Sequence, residues 1–139
     1  MSHPLFTRHK AILDGAMSAI ATRGYWSAFN EMPSPKVYGE TAHADGKQKC
    51  ESCFDADFVL DQPGQQGWLS PEVSPYGVAL NVRYPVCDAD ALVQAGQQAM
   101  VGWQALGAAG RTGVCLEVLT RLNQQSFEIA HAVMLTTGQ

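Results

Sequence analysis

The sequence predicts a mainly α protein. It has three substantial helices, a Pro/Gly-rich and mostly extended middle segment, and at most a small hairpin drawn from residues 57–84. Three observations carry this. Apolar residues recur at helical spacing at both ends of the chain. Six of the seven prolines fall between residues 25 and 85. Proline at that density leaves little room for long strands, because each proline removes a ladder donor.

The first helix is predicted from Pro4 to about Arg23. Ser2 or His3 caps it, Pro4 suits the first turn, and Gly24 supplies the stop. Leu5, Ile12, Leu13, Ala16 and Ile20 form its apolar face, with Phe6 and Met17 beside them. In the middle segment, Pro33 and Pro35 impose extended backbone, Pro63-Gly64 suits a type II turn and Ser74-Pro75-Tyr76-Gly77 a type I turn. A short helix over about Glu40 to Phe54 is weakened by Gly46. Phe58-Val59-Leu60 and Val78 to Tyr84 are the strand candidates.

From Asp88 the chain reads as two helices joined by a Gly/Ala turn. Asp88 is a good N-cap, and Asp90 favours the positive helix end. Leu92, Ala95, Gly96, Ala99, Trp103 and Leu106 follow at helical spacing, and the small face of Ala95, Gly96 and Ala99 invites a close-packed neighbour. The second helix is predicted as one piece from about Ala109 to Thr137. Its stripe of Cys115, Val118, Leu119, Leu122, Ser126, Ile129, Ala130 and Val133 is widened by Leu116, Phe127 and Met134 to about half the circumference. Glu117 and Arg121 form an i,i+4 pair in the favourable order. Such a helix is built to be buried on two sides, so the chain reads as the front part of something larger.

Composition narrows the classes. With 139 residues and 46% hydrophobic content the chain suits one ordinary domain. A net charge of −4 and a pI near 5.4 argue against nucleic acid and anionic membrane surfaces as partners. No apolar run approaches the ~18 residues of a membrane span, and Met1–Lys10 lacks the apolar region of a signal peptide. The expected location is cytoplasmic, with the four cysteines held as thiols.

Cys50-Glu51-Ser52-Cys53 fits half a zinc site or a redox pair, with Cys87, Cys115, His43 and His131 as further ligands. A redox pair belongs at a helix N-terminus, whereas this pair falls at a predicted helix end, where two thiols packed as small apolar groups serve equally. His9, on the apolar face of the first helix, reads as a satisfied boundary imidazole. His131 reads as a solvated group on the polar face of the last helix, near Glu128. Trp26, Trp68 and Trp103 read as packing anchors, and Arg111 as the partner of a carboxylate outside this chain.

The positions Ala95, Ala99, Trp103, Arg111, Leu116, Leu119, Leu122, Glu128, Ile129, Ala130, Thr137 and Gly138 resemble the opening of the aldehyde dehydrogenase superfamily. The strings SPKVYGET (34–41), LDQPG (60–64) and SPYGVALNVRYP (74–85) are similar to its phenylacetic acid degradation family, PaaN, which carries a long N-terminal extension. The resemblance implies residues 1–86 as that extension and 87–139 as a helical pair opening the dehydrogenase domain, within the N-terminal part of an aldehyde dehydrogenase-like fold. It also implies a parent enzyme of aromatic catabolism that oxidises an aldehyde with NAD or NADP, using a Cys nucleophile and a Glu base further along. No residue here matches those motifs, and none of the 13 glycines forms G-x-G-x-x-G. Catalytic, cofactor-binding and metal residues are therefore all expected to be none in this chain. Expected partners are the downstream dehydrogenase domain and a second copy, joined through the C-terminal helices. A non-catalytic helical oligomerisation module is the alternative, and a small thiol or metal protein built on Cys50 and Cys53 a third.

Overall fold

Proline and capping chemistry set the first helix where the sequence predicts it. The computed structural model describes residues 3–139; the Ser2 alternative for the cap lies outside them. Helix α1 (Pro4–Thr22) starts with Leu5 N–H donating to His3 Nδ1 at 3.3 Å. Its stop differs from expectation: Arg23, not Gly24, takes the left-handed conformation, at φ 53°. Gly24 N–H then closes back on the Ala19 carbonyl at 3.0 Å, and this six-residue closure fixes the position before the glycine as the left-handed one.

The middle contains more helix than its prolines imply. Ser34 caps a one-turn helix, α2 (Pro35–Tyr38), in a stretch expected to be extended. Helix α3 (Ala42–Glu51) forms where the weak helix is predicted. The strands lie elsewhere than predicted. Strand β1 (Gln65–Leu69) pairs antiparallel with β2 (Tyr84–Cys87), with an irregularity between Gln65 and Gly67. Pro85 is tolerated because a two-stranded sheet has only edge strands. The run from Val78 fails as a strand because Asn81 sits at φ 49°. Phe58-Val59-Leu60 joins no ladder; Asp57 just before it makes an isolated parallel bridge to Arg83.

Helix α4 (Ala89–Ala105) starts as expected, with Ala91 N–H donating to Asp88 Oδ1 at 2.8 Å. The predicted last helix is two: α5 (Gly107–Gln124) and α6 (Ser126–Thr137), separated at Gln125, which leaves the helical region at φ −101°, ψ 9°. Apolar periodicity runs through the break, which is why the sequence reads as continuous. The mainly α class with one small hairpin holds, with six helices among the described residues.

The chain divides into two compact units, Met1–Glu40 with Val101–Gln124, and Thr41–Met100 with Gln125–Gln139; residue 86 lies inside the second. The first is built on α1 packed against α5, the second on α3 packed against α6 and on the hairpin. Both helix crossings are made by glycine. A Cβ on Gly113 would lie 2.8 Å from the Leu5 carbonyl carbon and closer still to Phe6 N, and one on Gly46 would lie 2.7 Å from the Phe127 carbonyl carbon. Gly46, which weakens the helix in isolation, is thus where α3 meets α6. Gly96, on the small face expected to receive a neighbour, has nothing within 4 Å.

Gly113→Ala is expected to destabilise the protein by about 1–3 kcal/mol, since rigid backbone must move to admit the methyl. Gly96→Ala should be neutral or stabilising by up to ~1 kcal/mol. Urea unfolding of both variants checks the contrast.

Candidate functional site

In the first unit the polar side chains converge on Glu117, which α5 presents to α1. Its Oε2 accepts from His9 Nε2 at 2.7 Å and from Arg8 Nη1 at 3.2 Å, and its Oε1 from Arg121 Nε at 2.9 Å. The Glu117–Arg121 pair is present as predicted, and His9 is the satisfied, buried imidazole expected of it. The reach to α1 has no sequence signal beyond the placing of His9 among apolar residues. The hydrogen bond from His9, then that from Arg121, with Arg8 adding, holds the Glu117 carboxyl down at about 2 against the opposing effect of burial. A carboxylate so fully committed to cations is a structural anchor between two helices. As a general base it would be a poor proton acceptor.

Also in this unit, Arg111, one turn into α5, is half-buried beside Trp103, Thr112 and Cys115 along a shallow hollow. Among the described residues it has no hydrogen bond or ion pair. Trp103, expected as an anchor, is 42% exposed. Trp26 and Trp68 are exposed to a similar degree, although the Trp26 indole lies across Gly15, where a Cβ would meet it at 2.7 Å.

In the second unit, the turn after α3, the segment around Leu80 and Val82, and α6 enclose an apolar cavity of about 80 Å³. Cys50, Cys53, Tyr84, Glu72 and Glu128 border it. Tyr84 O–H donates to Glu72 Oε2 at 2.8 Å. Burial first, and then that carboxylate, push the phenol up to about 12, so it stays a neutral donor. Burial, then Cys53, Glu128 and Glu51, also push the Cys50 thiol up. An activated nucleophile needs the opposite environment, with a nearby cation or base.

His131 departs from expectation. It is buried, 8% exposed, because the α3 contact covers the face of α6 that carries it. Its ring meets that of His43 edge-on at 4.7 Å, and its Nε2 has no hydrogen-bond partner among the described residues. The structure does not gather Cys50, Cys53, Cys87, Cys115, His43 and His131 into one centre. Among the described residues no group of three His, Cys, Asp or Glu is placed to hold a metal ion, and no helix is long and apolar enough to cross a membrane.

Apolar side chains are exposed on each of the last three helices. On α5, Val118, Leu119 and Leu122 are about half exposed; on α6, Ile129, Val133 and Met134 are 37–42% exposed. On α4, Leu92, Val93, Met100, Val101 and Trp103 are exposed. The main predicted stripe therefore faces outward. Leu116 and Phe127, expected to widen the stripe, are half-buried, because the Gly113 and Gly46 crossings take that side of each helix inward.

No protein-family model matches the chain, and no curated protein does. Among solved structures, the crystal structure of an NAD-dependent aldehyde dehydrogenase from Burkholderia multivorans matches with a TM-score of 0.93 and 52% sequence identity. The match covers 100% of this chain and 25% of that one, so the chain spans about a quarter of that protein's length.

The Glu117 cluster makes a pH prediction. Its folded pKa lies below its ordinary 4.5, so the stability it contributes is complete above pH 4.5 and drains away as pH falls towards 2. Urea unfolding across that window should show wild type losing stability more steeply than Glu117→Gln. Parallel slopes would mean that the cluster is not linked to folding.

Proposed function

We propose that the chain belongs to the aldehyde dehydrogenase superfamily and serves as a non-catalytic structural segment of a PaaN-like enzyme. The whole protein would oxidise an aldehyde with NAD or NADP in phenylacetate catabolism, in the cytoplasm. The observation that carries this reading is the match along the entire chain to a quarter of an NAD-dependent aldehyde dehydrogenase. The strings SPKVYGET, LDQPG and SPYGVALNVRYP support the narrower assignment.

The segment's work is to present surface. Its two carboxylate-centred clusters are closed upon themselves, and its buried thiol is pushed towards the protonated form. The outward residues of α4, α5 and α6 are aliphatic and aromatic, and because most are already about half buried, covering each would contribute roughly half of the 1.5–3 kcal/mol of a full burial. In the whole enzyme the dehydrogenase domain and a second copy would cover them, and Arg111, unpaired beside Trp103, would meet a carboxylate there.

Calorimetric titration of the chain with NAD and with NADP is expected to give no binding heat, and saturable micromolar binding of either would overturn the non-catalytic role. Disrupting the reading frame that encodes the chain should abolish growth on phenylacetate while growth on succinate continues. Unimpaired growth on phenylacetate would remove the pathway assignment.

A further inference from the structure

Cys50 and Cys53 play no part in the role proposed above, and both are free thiols. Cys50 lies in the last turn of α3, 7% exposed; Cys53 follows the C-cap Ser52 and is half-exposed. The Cys53 N–H donates to the Cys50 carbonyl at 3.1 Å, and the Phe54 N–H to the Glu51 carbonyl at 3.1 Å, so this stretch is a tight turn. Closure between residues three apart keeps their Cα atoms within about 7 Å, and a disulfide spans about 4.4–6.8 Å. The turn is also pinned. Asp55 N–H donates to the Leu80 carbonyl at 3.0 Å, and Asn81 Nδ2 to Asp55 Oδ1 at 2.7 Å. Both thiols border the same apolar cavity. The other two cysteines are placed differently: Cys87 Sγ donates to Gln62 Oε1 at 3.3 Å, and Cys115 is exposed on α5.

We infer that Cys50 and Cys53 form a reversible disulfide, a modification site whose oxidant is a low-molecular-weight disulfide such as glutathione disulfide. The half-exposed Cys53 reacts first. Its thiolate attacks one sulfur of the oxidant, the oxidant's S–S bond breaks, and one glutathione thiolate leaves and takes up a proton. The Cys50 thiolate then attacks Cys53 Sγ in the mixed disulfide and expels the second glutathione. Two protein thiols are oxidised to one disulfide, and one glutathione disulfide is reduced to two thiols.

The surroundings set the rate at which the bond closes. Glu51 on α3, Glu128 on α6, and Glu72 with Tyr84 across the cavity face the pair with negative or neutral groups, while Cys53 Sγ lies 3.6 Å from the Lys49 carbonyl. Burial, then Cys53, Glu128 and Glu51, push the Cys50 thiol up, so the closing attack by the Cys50 thiolate speeds up as pH rises.

The test is incubation of the chain with glutathione disulfide at mildly alkaline pH, then alkylation under denaturing conditions and peptide mass analysis. The expected product lacks two hydrogen atoms, with Cys50 and Cys53 unalkylated in one linked peptide. Cys50→Ser should instead accumulate one glutathione on Cys53. Full alkylation of Cys50 and Cys53 in wild type, while exposed Cys115 in the same sample takes up glutathione, would overturn the inference. So would a wild-type mixed disulfide on Cys53 that never resolves.

Discussion

The close approach of helix backbones at Gly113 and at Gly46 is the constraint on which the remaining structure depends. At the first, α5 meets the backbone of α1 around Leu5 and Phe6; at the second, α3 meets the backbone of α6 around Phe127 and Glu128. Helices that touch this closely have no room for large side chains at the crossing, where Leu or Phe would hold the axes some 8–10 Å apart. The contact faces therefore carry glycine and specific polar groups. His9 and Glu117 join α1 to α5, and the His131 ring is covered where α3 crosses α6. None of the large side chains among the described residues is fully buried.

The large apolar residues are consequently displaced to the outer faces of α5 and α6. A surface helix ordinarily turns its apolar stripe inward and its charges outward. Here Glu117 points inward while Val118, Leu119 and Leu122 point out. Exposed aliphatic residues on one helix face are what an association surface is made of. The proposed role as a segment of a longer enzyme accounts for them, and the chain spans about a quarter of its structural relative.

Much of this architecture was legible in the residues. Pro4 and Asp88 place two helix starts because their chemistry is local, and the scarcity of strand follows from proline spacing. The break at Gln125 was not legible, since the apolar period continues across it and no Gly or Pro marks it. The β pairing was missed because Asn81 adopts a left-handed conformation inside an apolar run, so the ladder forms later, at Tyr84. The orientation of α5 and α6 was also hidden. Periodicity locates an apolar stripe but does not say whether that stripe or the face meeting a glycine crossing turns inward. His131 followed the same error and was placed in solvent. At the thiols, spacing alone allowed a metal, a redox pair or packing. Only the turn geometry and the shared cavity place the two thiols side by side, and only burial shows that the Cys50 thiol is pushed towards its protonated form.

Sedimentation equilibrium at tens of micromolar protein decides whether the outward stripes form an association surface. An association surface there predicts a mass well above the 15.0 kDa of one chain, most simply that of a two-fold dimer. It also predicts a return to one chain in Leu122→Lys, which places a charge on the stripe. A wild-type chain that sediments as a 15.0 kDa monomer would contradict it, as would a Leu122→Lys variant that associates as strongly as wild type.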